Sequence, residues 1–207
     1  MIKVKKIISG SLDVNCYIVY DSETLHAAII DPGEDGNKVI FEIEKNAFKP
    51  EILINTHAHF DHTLSDDKIR LKFKIPLAIH RNEEALLSDS EKNGSDSYDI
   101  TRTVKKPDML FESNQEVKLS FASFKVIHTP GHTNGSICLL FDGFLFTGDT
   151  LFAGTIGRTD FISGNDVDMR RSLIRLKKLD PSLIIYPGHG STTTMSNELQ
   201  HNPYLKD

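Results

Sequence analysis

A short apolar segment that runs directly into a loop carrying histidine or aspartate occurs four times in this chain, and this pattern limits the folds open to it. The four loops span residues 56–62, 129–133, 147–150 and 187–190. In layered α/β proteins a sheet directs the loops at its strand ends into one crevice. The pattern therefore predicts a mixed α/β fold in which these loops meet and form a functional site.

Hydrophobic periodicity and turn residues predict the elements around these loops. Strands are expected at residues 3–8, 16–20, 27–30, 51–55, 76–79, 116–119, 124–127, 137–141, 143–146 and 183–186, and helices at residues 37–46, 65–73 and 165–180. Ser65 is expected to cap the second helix, and His80 to cap the turn that follows its strand. Met169, Leu173 and Leu176 lie three or four residues apart and predict the buried face of the last helix.

The segment 88–106 is polar and offers only Tyr98, Ile100 and Val104 for burial. It is expected to be a solvated surface loop, with a partly ordered lid as the alternative. After residue 190 the chain is expected to continue as a polar tail.

The charge balance excludes one class of function. The 207 residues contain 24 Lys and Arg against 29 Asp and Glu, a formal charge of -5, whereas a broad basic face for nucleic acid needs the opposite surplus. No apolar run approaches the ~20 residues that cross a bilayer, and the first residues lack a secretory signal. Cys16 and Cys138 lie in apolar segments typical of buried thiols. We expect a cytoplasmic protein with one domain over residues 1–207, and no nucleic-acid or membrane partner.

The four loops are rich in imidazole nitrogens and carboxylate oxygens, which are donors that suit zinc and similar divalent ions. The candidate ligands are His57, His59, Asp61, His62, His132, Asp149 and His189. A catalytic zinc has three protein ligands and an open position, so these donors serve two ions if one carboxylate bridges them. Asp149 is the natural bridge because it stands alone on its own loop beside a glycine. Two divalent ions are therefore expected; zinc is favoured, and iron and manganese fit the same donors.

The motifs that carry these ligands are His57-Ala58-His59-Phe60-Asp61-His62, Gly131-His132-Thr133, Gly148-Asp149-Thr150-Leu151-Phe152 and Pro187-Gly188-His189-Gly190. Together they resemble the metallo-β-lactamase superfamily, and within it the short, single-domain, glyoxalase II-like branch of hydroxyacylglutathione hydrolases. The segment 157–161 is also similar to that branch. The resemblance implies a four-layer αβ/βα sandwich, with two mixed sheets face to face and helices outside.

The resemblance also implies how the ligands divide: a first metal on His57, His59 and His132, a second on Asp61, His62 and His189, and Asp149 as the bridge. The chain departs from the family pattern at Thr63 and Leu64, where two glycines usually follow the histidines. The sequence also ends at Asp207, before the helical C-terminal domain that helps full-length glyoxalase II enzymes to hold glutathione.

A dinuclear centre of this kind suits thioester hydrolysis. Two divalent ions lower the pKa of water from 15.7 toward ~7 and make hydroxide available at neutral pH. With Asp61, Asp149 and a hydroxide, the centre keeps a small positive charge that stabilises the oxyanion of a tetrahedral intermediate. A thiolate leaves without much protonation, so the reaction needs no dedicated general acid. We expect a small-molecule thioester such as S-2-hydroxyacylglutathione to be the substrate, with Asp61 and Asp149 as catalytic residues.

Arg158 has two interpretations. Its planar guanidinium is suited to bind a substrate carboxylate, and it is equally suited to form a structural ion pair with Asp160.

Other functions remain open at this level. A mononuclear iron persulfide dioxygenase, or a lactone or phosphoester hydrolase, uses the same fold and similar ligands. A β-lactamase of the familiar kind usually has cysteine at the position of Asp149, which disfavours that activity. A non-catalytic domain stabilised by metal is also disfavoured, because structural zinc sites are closed and usually rich in cysteine.

Overall fold

Two six-stranded sheets dominate the computed structural model, which describes residues 1–100 and 105–206. The first sheet contains its strands in chain order: β1 (Ile2–Ser9), β2 (Val14–Asp21), β3 (His26–Ile30), β4 (Lys49–Ile54), β5 (Leu77–His80) and β6 (Met109–Phe111). Strands β1 to β3 pair antiparallel, and β3 to β6 pair parallel. The sheet is therefore mixed, with the carboxyl ends of β3, β4 and β5 at one edge.

The second sheet is also mixed. The remaining strands are β7 (Glu116–Lys118), β8 (Ser123–His128), β9 (Ile137–Phe141), β10 (Phe144–Gly148), β11 (Leu151–Phe152), β12 (Thr155–Ile156), β13 (Ile184–Pro187) and β14 (Thr193–Thr194). The order across the sheet is β7-β8-β9-β10-β13-β14, while β11 and β12 form a separate two-stranded ribbon. The pairing directions make β8, β10 and β13 parallel to one another. Their carboxyl ends therefore also share one edge.

Helices cover the outer face of each sheet. They are α1 (Gly36–Lys45), α2 (Phe60–Thr63), α3 (Asp66–Phe73), α4 (Asp166–Leu176) and α5 (Met195–His201). Val39 of α1 and Ile69 of α3 pack on the first sheet, and Met169 of α4 and Met195 of α5 pack on the second. The order of layers is helix, sheet, sheet, helix, which confirms the predicted four-layer sandwich. No helix in the described part of the chain is long and apolar enough to span a bilayer.

The alternation of side chains along the strands explains why both faces of each sheet are covered. Tyr17 and Val19 of β2 enter the core between the sheets, whereas Cys16 and Ile18 face the helical layer. Cys138 of β9 likewise faces α4 and α5. Both cysteines are buried and unpaired, as expected.

Some local predictions need correction. Ser65 does not cap α3: its hydroxyl donates to the carbonyl of Glu34 instead, and so fastens the start of α3 to the loop before α1. Helix α5 lies where only a polar tail was expected, and β6 and the β11–β12 ribbon were also not predicted. These elements are short, and pairing or packing with distant parts of the chain stabilises them. His80 does cap its turn, because its Nδ1 accepts the N–H of Asn82 at 3.4 Å.

The segment after β5 is more ordered than its composition predicted. Asn93 is buried, and its side-chain amide donates to the carbonyls of Leu86 and Leu87. The backbone carbonyl of Asn93 accepts the N–H of Phe60, at the start of α2. Tyr98, one of the three apolar side chains that the segment offers for burial, is exposed, which fits a surface loop. Val104, another of the three, lies outside the described residues.

Phe146 gives a test of the core between the sheets. It is 1% exposed and contacts the rings of Tyr17, Phe141 and Tyr186. Replacement by alanine opens a cavity, so we expect Phe146→Ala to lower the free energy of unfolding by about 3–5 kcal/mol in urea denaturation. Phe41→Ala, at a position that is 59% exposed on α1, is the control and should change it by less than about 0.5 kcal/mol. Equal effects would contradict this account of the core.

Candidate metal centre

The carboxyl ends of the strands bring all the predicted ligands into one place. His57, His59, Asp61 and His62 follow β4, His132 follows β8, Asp149 follows β10 and His189 follows β13. Their donor atoms form three overlapping groups in which all atoms lie within 4.8 Å of one another. Residues far apart in the chain therefore meet where the edges of the two sheets face each other.

The first group consists of imidazoles alone. His59 Nδ1 lies 3.1 Å from His57 Nε2 and 2.8 Å from His132 Nε2. All three rings are buried. Three neutral nitrogen donors at this spacing are suited to one divalent ion of the zinc or iron type.

The second group contains a carboxylate as well as imidazoles. His189 Nε2 lies 3.3 Å from both Asp61 Oδ2 and His62 Nε2. Asp149 lies between the groups, because its Oδ1 is 3.4 Å from His62 and its Oδ2 is 3.5 Å from His132. This is the position expected of a bridging carboxylate.

Hydrogen bonds on the outer side of the rings determine which nitrogen faces inward. His132 Nδ1 donates to the carbonyl of Arg158 at 2.8 Å, and His189 Nδ1 donates to the carbonyl of Leu12 at 3.0 Å. Because a carbonyl oxygen can only accept, each Nε2 is left with a lone pair directed into the centre. Asp149 Oδ1 is buried and has no hydrogen-bond partner. The lone pairs and the unpartnered oxygen fit the divalent ions that the sequence predicted.

Asp31 orients two ligands without being one of the predicted set. Its carboxylate accepts the N–H and the hydroxyl of Thr56, at 2.8 and 2.7 Å. The Thr56 hydroxyl is then free to accept from His57 Nδ1 at 3.1 Å. Asp31 Oδ2 also lies 3.1 Å from His62 Nδ1, as an ion-pair contact. Asp31 thus controls the tautomer of His57 and the charge of His62.

The first group is held electrically neutral. Burial lowers the pKa of His57 well below its ordinary value, and the nearby imidazoles of His62 and His59 add to the effect. Burial and the imidazole of His132 lower the pKa of His59 to about 3. Burial also lowers the pKa of His132. These rings are therefore unprotonated at neutral pH and ready to bind a metal.

The second group carries charge. Burial opposes the charged form of His62, but the carboxylates of Asp61, Asp149 and Asp31 outweigh it and raise the pKa of His62 to about 10. The pKa of His189 is also raised, because its contacts with Asp61 and Asp149 outweigh burial. Burial favours the neutral form of Asp61, yet the two imidazoles hold the pKa of this carboxyl well below its usual range. In the metal-free protein, the proton on His62 thus offsets part of the carboxylate charge.

Two glycines allow the close packing around Asp149. A Cβ added to Gly188 would lie 2.1 Å from Asp149 Oδ1, and one added to Gly157 would lie 1.8 Å from the Asp149 carbonyl oxygen. Neither distance is possible for a real side chain. Glycine at these two positions therefore lets the backbone approach Asp149 closely.

An open cleft of about 900 Å³ leads to the centre. Its walls include the rings of Phe60, Phe152 and Phe161 and the segment that contains Tyr98. Arg158 lies at this wall with both an ion pair and a ring contact. Its guanidinium makes two hydrogen bonds of 2.9 Å to Asp160, and its Cζ lies 4.5 Å from the centre of the Phe161 ring. The ion-pair interpretation is therefore realised in the structure, and a contact with substrate stays a prediction.

The remaining histidines lie outside the centre. They are His26, His80, His128 and His201. His80 and His128 stack with ring centres 4.3 Å apart, and His26 pairs with Glu51. None of them belongs to a group of metal-binding type within the described residues.

Comparison with known proteins identifies the family. The model of the Metallo-beta-lactamase superfamily matches residues 10–189, a range that includes every predicted ligand. The chain belongs to this superfamily. Membership of the metallo-beta-lactamase superfamily and the geometry of the centre together make this a metal-binding protein of the hydrolase type.

Curated relatives resemble this chain along nearly all of its length. It is 34% identical to the probable metallo-hydrolase YqgX of Bacillus subtilis over 98% of this chain and 97% of that protein. It is 35% identical to the hydroxyacylglutathione hydrolase GloC of Haemophilus influenzae over 92% of both.

Solved structures of the superfamily have the same fold. The BLEG-1 B3 metallo-beta-lactamase superposes with a TM-score of 0.94 at 34% identity, covering 99% of this chain and 100% of that one. The di-iron-bound form of TTHA1623 superposes with a TM-score of 0.85 at 28% identity, covering 97% and 100%. The latter shows that a related structure accommodates two iron ions.

Sequence reasoning missed the residues that orient the ligands. Asp31 belongs to none of the ligand motifs, and Thr56 is only the first residue of the loop 56–62. The one local signal is their position: each directly follows or nearly follows a buried strand of the parallel pair β3 and β4. Their role depends on hydrogen bonds across that pair, which the linear sequence does not show.

Asp31→Asn tests the control of the His57 tautomer. An asparagine NH₂ group would donate to the Thr56 hydroxyl, which would then donate to His57 Nδ1 and place the ring proton on the metal-facing Nε2. We expect zinc affinity, measured by chelator competition, to fall about 10–100-fold. Asp35→Asn, an exposed cap of α1, is the control and should bind zinc normally. Normal affinity in the Asp31 variant would refute this hydrogen-bond chain.

Proton release tests the charge of the second group. Because the pKa of His62 is raised to about 10, this ring is protonated at pH 7.5 and must lose its proton to bind a metal. Filling the second group should release on the order of one proton, whereas filling the neutral first group should release none. Calorimetric titration with zinc in two buffers of different ionisation enthalpy measures this. A His62→Ala variant is the control and should lack this proton release. If the two zinc ions bound per chain release equal numbers of protons, the charge assigned to His62 is wrong.

Proposed function

We propose that this protein is a metal-dependent hydrolase of small-molecule acyl thioesters, which converts S-2-hydroxyacylglutathione or a related thioester to a hydroxy acid and a thiol. The observation that carries the proposal is the convergence of two groups of donors on Asp149 at the base of an open cleft. The similarity to GloC, which is named as a hydroxyacylglutathione hydrolase, supports this reaction class.

We assign the metal ligands as the resemblance to the superfamily implies. His57, His59 and His132 would hold one ion, Asp61, His62 and His189 the other, and Asp149 would bridge them. Such ions supply hydroxide at neutral pH and stabilise the negative oxygen that develops during acyl transfer. Zinc is the proposed metal, and the di-iron form of TTHA1623 makes iron the first alternative.

The residues of the chain supply the remaining steps. Asp61 is partly open to the cleft, and its ionised carboxylate is placed to accept the proton of the attacking nucleophile. Asp149 fixes the separation of the two groups, since each of its oxygens faces a different ring. The aromatic wall of Phe152 and Phe161 excludes water from one side of the acyl group. Arg158 is the proposed partner of a substrate carboxylate, which would displace Asp160 from its guanidinium.

A thioester suits this cleft because its leaving thiolate needs little protonation. We place the enzyme in the cytoplasm, with a small molecule as its partner rather than a nucleic acid or a membrane. The similarity to the BLEG-1 B3 metallo-beta-lactamase makes β-lactam hydrolysis a second candidate. Aspartate at position 149 instead of cysteine favours the thioester.

Asp149→Ala tests the bridge. The wild-type protein should contain close to two metals per chain and hydrolyse S-D-lactoylglutathione. Removal of the carboxylate should release metal from both groups and lower kcat/KM at least about 100-fold, since outer and bridging ligands control both affinity and activity. Elemental analysis and a thiol-release assay measure the two effects.

Asp142→Ala, on the exposed turn between β9 and β10, is the matched control and should retain metal and activity. Full activity of the Asp149 variant would remove this residue from the mechanism.

A substrate panel with other thioesters, a β-lactam, a lactone and a phosphodiester tests the reaction class. Turnover of the β-lactam alone would favour the second candidate. Oxygen uptake with glutathione persulfide at one iron per chain would replace the proposal with the dioxygenase alternative.

A further inference from the structure

Glu83 is a buried carboxylate that the proposed mechanism does not use. It ends the 3-10 turn Arg81–Glu83, which follows β5 at the same sheet edge as the metal centre. Its side chain is 0% exposed. Among the described residues, no basic side chain is close enough to influence its charge. A buried carboxylate without a cation is unfavourable unless hydrogen bonds compensate for the lost hydration.

The hydrogen bonds of Glu83 connect the two loops that supply the first group of ligands. Oε2 accepts the N–H of Ala58 at 2.7 Å, and Ala58 lies between His57 and His59. Oε1 accepts the N–H of Gly135 at 2.7 Å, three residues after His132. One rigid group thus joins both loops by their backbone.

The packing around Glu83 holds this connection in place. Ala58 belongs to a small apolar cluster with Ile79, Leu86 and Leu87, which come from the elements on both sides of the Glu83 turn. The Ala58 side chain is therefore fixed by packing while its N–H is fixed by the carboxylate. Neither contact involves a metal-binding atom.

Gly135 gives an independent indication that the approach of Glu83 is specific. A Cβ on Gly135 would lie 2.6 Å from Glu83 Oε1 and 2.7 Å from its Cγ. The backbone of Gly135 is not in the left-handed region, so local conformation does not require glycine there. The nearby carboxylate accounts for the absence of a side chain at this position.

We propose that Glu83 is a positioning residue for the first metal group, and that its carboxylate fixes the His57–His59 loop relative to the His132 loop so that the three imidazoles are pre-arranged for metal. The first group consists of three imidazoles from two loops, so its geometry depends on how these loops are held relative to each other. The inference rests on the proposed ligand assignment and is independent of the substrate.

Glu83→Gln tests this inference with little change in shape. A glutamine has one acceptor oxygen and one NH₂ group, so it can satisfy only one of the two backbone N–H groups. In a His189→Ala background, which removes a ligand from the second group, we expect zinc affinity measured by chelator competition to fall about 10–100-fold. Amide hydrogen exchange of the metal-free protein should accelerate at Ala58 and Gly135.

Glu198→Gln is the matched control. Glu198 is also a buried carboxylate that accepts a backbone N–H, that of Gly154, but it does not contact the ligand loops. The Glu198→Gln substitution, made in the same His189→Ala background, should leave zinc affinity within about twofold of that background. This should hold even if it lowers the free energy of unfolding as much as Glu83→Gln does. Equal loss of affinity in both variants, or no loss in Glu83→Gln, would overturn the inference.

Gly135→Ala provides a second route that does not alter the carboxylate itself. Its Cβ should displace Glu83 and weaken zinc binding to a similar degree. In a Glu83→Ala background the same substitution should weaken binding much less, because the atoms it would displace are gone. If the double variant instead loses zinc affinity by the product of the two single-variant factors, Gly135 and Glu83 do not act through one contact. If Glu83→Gln weakens metal binding but no thioester is hydrolysed by the wild type, the inference stands and the proposed function fails.

Discussion

The rest of the structure depends on one unfavourable juxtaposition: nitrogen and oxygen donors from four loops are held close together in one buried place. His59 Nδ1 faces two other imidazole nitrogens at 2.8 and 3.1 Å. Groups of this kind repel or leave hydrogen-bonding capacity unused unless a cation lies between them. The fold has to supply the rigidity that holds them, and it does so with two sheet edges, backbone carbonyl acceptors and buried carboxylates.

The two groups of ligands are made ready for a metal ion by different physical means. The first group is neutral and fully buried, so its readiness for metal is a matter of geometry and of the correct tautomers. The second group has negative carboxylates, and in the metal-free protein the proton that His62 keeps because of its raised pKa offsets part of their charge. Metal replaces protons in the second group, whereas it enters a pre-arranged set of lone pairs in the first. Glu83 accordingly contacts only the loops of the first group, whereas Asp31 reaches His57 through Thr56 and also contacts His62 of the second group.

The structure also explains which parts of the fold were predictable. Periodicity predicts the apolar strands and the longer helices from their own side chains. A strand covered on both faces is apolar throughout, and a helix covered on one face has one apolar stripe. The elements predicted in this way include β2, β3, β4, β9, α1 and α4. Helix α5 is polar in sequence, but Met195 is buried in the core and Glu198 binds the backbone of the β11–β12 ribbon. Ser65 has the composition of a cap, yet a carbonyl from a distant loop competes for its hydroxyl. In each case the decisive partner is remote in the chain.

The sequence by itself determined the chemistry of the centre, since the type and spacing of donors on loops after apolar strands identified every residue that the fold later brought together. Strand and helix periodicities, which are local, predicted a mixed α/β class, and the resemblance to the superfamily implied the four-layer sandwich. Only the tertiary structure decided how these donors are oriented and charged. The tautomer of His57 depends on Asp31 through Thr56, and the connection between two ligand loops depends on Glu83. Such roles arise from hydrogen bonds between segments that meet only after folding, and their strength comes from burial, which no local pattern specifies.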